Sequence, residues 1–140
     1  MDNKIHAHFS ANTEAGRHPG FVNVRHSVEV VFTLSSGEVR SKEFNSFASC
    51  GKHESSVDAC SLQAAMSLLL QVPPTRRTLV VHLNSGYQNA IVRNAWTWKK
   101  DGWIKTDGTA VKNQSHIERY LQAIAELAKI FGDVEMVFHK

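Results

Sequence analysis

Three tryptophans interleaved with lysines form the most chemically suggestive cluster in this sequence. Trp96, Trp98 and Trp103 bracket Lys99 and Lys100, and Lys105 and Lys112 follow closely. Flat aromatic faces stack on sugars and bases, and ammonium groups neutralise phosphates, so the combination suits a nucleic-acid backbone. All three tryptophans are candidates for nucleic-acid contact, and Trp103 is the better test because Trp96 and Trp98 also serve to seat their helix. Nucleophilic chemistry has weaker support. Cys50 and His53 fall in a segment that reads as a loop, without a third orienting group or an oxyanion-hole glycine pattern. Cys60 lies on an apolar helical stripe and reads as a small buried hydrophobe. Gly16 and Gly51 do not build a phosphate loop.

The elements that must hold these residues follow from periodicity. Ile5, Ala7 and Phe9 alternate with His6, His8 and Ser10, which is the period of a strand. After a glycine- and proline-containing loop, Val22 to Val24 and Val28 to Leu34 read as a second strand. Ser35 to Glu38 is turn chemistry, and Val39 to Ala48 is the return strand of a hairpin. Ser55 with Asp58 resembles a capping box, opening a helix from about Ser56 to Gln71. That helix is apolar nearly all round, hence central, and Pro73-Pro74 stops it.

Thr78 to Leu83 is a short, almost continuous apolar run, the pattern of a buried parallel strand. Two short helical pieces follow, one through Arg93 and one from Trp96 to Lys99. Ser115 with Glu118 reads as a second capping box, Gly132 as the end of that helix, and Val134 to Phe138 as a last strand. The expected order is β-β-β-α-β-α-α-α-β. It demands an α/β fold with a five-stranded mixed sheet: a three-strand antiparallel meander plus two parallel strands, flanked by helices.

Composition bounds the function. A chain of 140 residues that is 42% apolar is enough for one packed domain spanning residues 1–140. Sixteen basic against thirteen acidic residues leaves a net charge of +3, which permits nucleic acid without requiring it. Two cysteines cannot make a disulfide framework or, alone, a zinc site, so a reducing, cytoplasmic setting is expected. No apolar run approaches a membrane span, and Met1 to Lys4 does not open a signal peptide.

The element order and one stretch of sequence resemble type I ribonuclease H. Trp96-Thr97-Trp98-Lys99-Lys100-Asp101-Gly102-Trp103, then Lys105-Thr106-Asp107 and Val111-Lys112-Asn113, are similar to that family's basic protrusion. Leu83-Asn84-Ser85-Gly86-Tyr87 stands where the family has Thr-Asp-Ser-x-Tyr. Ser61-Leu62-Gln63-Ala64-Ala65 stands where it has Glu-Leu-x-Ala-Ala, and His18-Pro19-Gly20 echoes its Asn-Pro-Gly. The resemblance implies a ribonuclease H-like fold whose protrusion grips the DNA strand of an RNA–DNA hybrid, with Asn113 near a bound phosphate.

The departures from the family pattern concern its chemistry. The family cleaves RNA with two magnesium ions held by four carboxylates. By the resemblance, three of those positions carry Ser10 (or Phe9, if the register slips by one), Ser61 and Asn84. The fourth belongs to a last helix that would follow Lys140. The implied protein is a catalytically inactive homologue with no catalytic residues and no cofactor. It binds hybrid or duplex nucleic acid or serves a nucleic-acid-processing assembly. A protein-interaction or homodimerisation module is the alternative, through an apolar sheet face uncovered near Val134 to Phe138. An active nuclease using Glu14, Asp58 or Asp107 is a further one. His8 and His82 lie two residues before Ser10 and Asn84 on strands that neighbour each other in the family. A histidine metal site there is conceivable, because imidazole suits zinc or nickel and not magnesium.

Overall fold

The computed structural model describes residues 3–16 and 19–139, so the expected echo at His18 lies outside the described residues. The chain runs β1 (Ile5–Ala15), β2 (Phe21–Thr33), β3 (Val39–Gly51), α1 (Glu54–Leu69), β4 (Thr78–Leu83), α2 (Gly86–Lys100), α3 (Gln114–Ile130) and β5 (Asp133–Phe138). The sheet order is β3-β2-β1-β4-β5. β1, β2 and β3 are the expected antiparallel meander, and β4 and β5 continue the sheet in parallel with β1.

Period-two alternation divides the sheet into two unlike faces. Ala7 and its cross-strand partners Val30 and Val81 are buried, as are Phe9 and its partner Val28. They meet Leu62, Met66 and Leu69 of α1, and Leu121 and Leu127 of α3 complete the same core. Nine of the 16 residues of α1 are buried, because this helix touches β1, β2 and β3 on one side and α2 and α3 on others. Its all-round apolarity is thus a consequence of its central place.

The opposite sheet face is largely polar. His8 pairs across to Glu29 and Glu43 in turn, and Ser10 to Ser27 and Asn45. The alternation of β1 to β3 sends their polar halves to this side, while Val134 to Phe138 at the β5 edge remain half-buried. Phe47, at 69% exposure with the Arg25 guanidinium 4.9 Å over its ring, is an apolar residue on this face, as are exposed Phe21 and Val39.

Several expected boundaries shift, each for a local reason. β2 is continuous from Phe21, and its first residues supply ladder partners that carry β3 three residues past Ala48. Cys50 consequently lies in a strand, paired with Val22, and not in a loop beside His53. It is buried facing α1, where a disulfide joins it to Cys60. The expectation of unpaired thiols, with Cys60 a simple hydrophobe, is corrected accordingly. Neither capping box forms: α1 begins after His53 and α3 after Asn113, without side-chain caps. The two short helical pieces are one helix, α2, because no proline or internal glycine interrupts the stripe of Gln88, Ile91 and Ala95. Gly132 follows α3 where a Cβ would overlap the Arg76 carbonyl, so the turn into β5 requires glycine.

Two outcomes follow from this core. Thiol titration of denatured, unreduced protein should find no free cysteine. Reduction, or the Cys50→Ala/Cys60→Ala pair, should lower unfolding free energy by about 2–3 kcal/mol, as for a short closed loop. His26 is buried beside Cys60, with Nε2 3.7 Å from Sγ. Burial first, and His116 second, hold its pKa below the ordinary histidine value. Neutral in both states above about pH 6.5, it then costs nothing. As pH falls from there through the depressed folded value, the unfolded chain takes up the proton first and stability declines. The urea midpoint should be lower at pH 5 than at pH 7.5, and His26→Phe should narrow that difference.

Candidate nucleic-acid interface

β4 delivers the chain to Ser85, whose hydroxyl caps α2 by accepting from the Gln88 backbone N–H at 3.1 Å. The buried stripe of α2 fixes which aromatics are free. Tyr87 and Trp98 flank it half-buried, while Trp96, Lys99 and Lys100 project into solvent. Trp96 is 55% exposed, and the Lys99 ammonium stands 5.7 Å from its ring centroid. A cation held over an indole face has a modest stabilising effect and keeps both groups presented together.

Gly102 and Trp103 both adopt positive φ, 74° and 67°, which reverses the chain. The Trp103 N–H donates to the Trp98 carbonyl at 2.7 Å, and its own carbonyl accepts from Val111 at 3.0 Å. Trp103 and Trp98 then pack against the main core. Trp98 and Trp103 thus help to seat this segment on the core, and Trp96 is the most exposed of the three.

The hairpin-like turn behind them returns Lys105 and Lys112 toward α2. Lys105, Lys112, Tyr87, Trp98 and Ser55 line, with Val111, a pocket of about 240 Å³. Asn113 is held at its edge in the left-handed conformation, φ 61°. Its Oδ1 accepts from the Ser56 hydroxyl at 3.0 Å, and its Nδ2 donates to the Tyr87 hydroxyl at 3.0 Å. One asparagine thereby ties α1, α2 and the start of α3 around the pocket.

The positions aligned by resemblance with metal ligands are occupied by neutral groups with other duties. Asn84 Nδ2 donates to the Phe9 carbonyl at 2.7 Å, joining the ends of β1 and β4. Gln88, buried, accepts from the Asn84 backbone N–H and donates to the Asp58 carbonyl, both at 3.0 Å. Ser61 is buried with a hydroxyl that has no hydrogen-bond partner among the described residues. Ser10 is exposed on the polar sheet face, whereas Phe9 lies in the core. Of the three alternative acids, only Asp58 is near: burial raises its pKa, against the bond from the Ser85 hydroxyl, and Glu54 adds to the rise. Glu14 is exposed toward the end of β1, and Asp107 is spent on the Thr109 N–H and hydroxyl. His8 and His82 do come together, their rings stacked at 4.3 Å. Sequence reasoning missed Gln88, whose only signal was a polar residue on an otherwise apolar helical stripe.

No family model and no curated protein matches this sequence. Solved structures match over nearly its whole length. The PFV RNase H domain superposes with a TM-score of 0.64 at 12% identity, covering 97% of this chain and 77% of that one. A type 1 RNase H with the type 2 active-site motif gives 0.67 at 17% identity, over 100% of this chain and 64% of the other. A foamy viral protease-reverse transcriptase in complex with RNA/DNA hybrid gives 0.62 at 10% identity, covering 96% of this chain and 17% of that one. The chain has the ribonuclease H fold. At these identities the likeness is one of fold, and this ribonuclease H-like chain spans under two thirds of the type 1 enzyme.

The polar network of this ribonuclease H-like chain separates two substitutions. Gln88→Ala strands the Asn84 N–H and should cost about 1–3 kcal/mol. Ser61→Ala removes a hydroxyl without a partner and should be neutral or slightly stabilising in chemical denaturation.

Proposed function

We propose that this chain is a nucleic-acid-binding module on a ribonuclease H scaffold, gripping the backbone of an RNA–DNA hybrid or duplex without cleaving it. One observation carries the reading: exposed Trp96 under the Lys99 ammonium on α2, on a domain whose Lys105 and Lys112 line a pocket with Tyr87 and Trp98. Among the described residues, none of Lys99, Lys100, Lys105 and Lys112 is engaged in a salt bridge. Their charge is therefore available to phosphates, and Trp96 supplies a flat face for a sugar or base. Foamy viral protease-reverse transcriptases, of which part matches this fold, have been solved with an RNA/DNA hybrid and with dsDNA, which supports the choice of ligand class.

The inactive part of the reading rests on side-chain chemistry. Two-metal hydrolysis needs anionic oxygens that hold magnesium at both the attacking and leaving positions. Ser10, Ser61 and Asn84 offer none, and the Asn84 amide is engaged with a backbone carbonyl.

Titration of labelled RNA–DNA hybrid, duplex DNA and duplex RNA at two salt concentrations tests both parts. Binding should weaken with salt, and Lys99→Ala/Lys100→Ala should flatten the log–log slope by about one unit per lost phosphate contact. Trp96→Ala should cost about 1–3 kcal/mol of binding while the domain stays folded. The hybrid should survive incubation with Mg²⁺ or Mn²⁺. Binding to none of the three at low salt would sink the reading in favour of a protein-interaction module. Cleavage abolished by Asp58→Asn would instead establish a divergent nuclease.

A further inference from the structure

Four of the eight histidines of this chain converge on one patch of the polar sheet face. Their convergence follows from strand register. β1 and β4 run parallel with His8 opposite His82, and His6 stands two residues earlier on the same face as His8. β5 pairs with β4 through Val137 opposite His82, and His139 lies two residues beyond Val137. The rings form a row. His6 Nδ1 is 2.9 Å from His82 Nε2, and His82 Nδ1 is 2.7 Å from His139 Nε2. His8 stacks on His82 with ring planes 6° apart.

We propose that His6, His8, His82 and His139 form a binding site for one divalent transition-metal ion of the imidazole-preferring class: zinc, nickel or copper. Ring nitrogens bind such ions at about 2.0–2.1 Å, so two ligands of a tetrahedral zinc ion stand about 3.3 Å apart. The His6–His82 and His82–His139 nitrogens face one another at hydrogen-bond distance, so the rings rotate on binding until one nitrogen of each aims at the shared ion. His8 and His139 are exposed and His6 and His82 half-buried, so the ion can enter from solvent.

The chemistry of the patch selects among ions. Magnesium and calcium require several oxygen ligands. The nearest carboxylates on this face are Glu29, across from His8, and Glu135, which already pairs with Lys4 at 3.2 Å. Among the described residues, the group whose ligand atoms already lie within 4.8 Å of one another is His26 with Cys50 and Cys60, and it is closed to an ion while its sulfurs are joined. An ion at the histidine patch would link β1, β4 and the segment after β5, stapling the parallel half of the sheet. The site is independent of the proposed nucleic-acid surface on α2.

Calorimetric titration of tag-free, unreduced protein with ZnCl₂ and NiCl₂ at pH 7.5, and with MgCl₂ in parallel, tests the proposal. One equivalent of zinc or nickel should bind, with no detectable magnesium binding. Excess zinc should raise Tm by about 5–10 °C, as mass action predicts at a hundredfold the dissociation constant. His82→Gln should weaken zinc binding at least about 10- to 100-fold, since the loss of even an outer-sphere partner commonly does so. The His6→Gln/His139→Gln pair, at more accessible positions, should do the same with an unchanged circular dichroism spectrum. Absence of zinc and nickel binding, equal binding of magnesium, or unchanged affinity in the folded double variant would each overturn it.

Discussion

Everything in this domain depends on β1 serving two neighbours at once. The strand is antiparallel to β2 on one side and parallel to β4 on the other, and each pairing enforces the same two-residue alternation. Ala7 at the centre must be small and apolar because α1 closes over it together with Val30 and Val81. A slip of one residue would drive His6 and His8 into that core and expel Ile5, Ala7 and Phe9. Register is thus held by burial, and the histidine row on the far face is its by-product.

The interface on α2 is built by a similar division of labour. A helix with one buried stripe must expose its remaining residues, and here the exposed set contains Trp96, Lys99 and Lys100. The rest of the surface depends on a chain reversal that no helix can supply. Positive φ at Gly102 and Trp103 brings Lys105 and Lys112 back beside Tyr87 and Trp98, and Asn113 fastens the arrangement to α1. The strained conformation at Trp103 is held by its two backbone hydrogen bonds and by the packing of its indole.

At the junction of β1, β4 and α1, amides do structural work that carboxylates could not do equally. Asn84 donates to a main-chain carbonyl, and Gln88 both donates and accepts. A carboxylate at position 84 would have no proton to give the Phe9 carbonyl and would face it with repulsion. Neutral chemistry here satisfies the scaffold itself.

Much of this molecule was legible from the order of its residues. Alternation in β1, the apolar run of β4 and the amphipathic stripe of α3 determined element types and the mixed sheet, because those periods reflect burial on one or both faces. The cluster from Trp96 to Lys112 marked the proposed interface by composition alone. Other features existed only once distant segments met. The Cys50–Cys60 link required three extra ladder pairs between β2 and β3, and those depend on partners across the sheet rather than on local propensity. Which tryptophan stayed free was decided by the reversal at Gly102, since packing against a core formed elsewhere selects among equal neighbours. The four histidines span residues 6 to 139, and only the parallel register of β1, β4 and β5 makes them adjacent. Periodicity acts within a segment; contact between segments is settled by the energy of the assembled core.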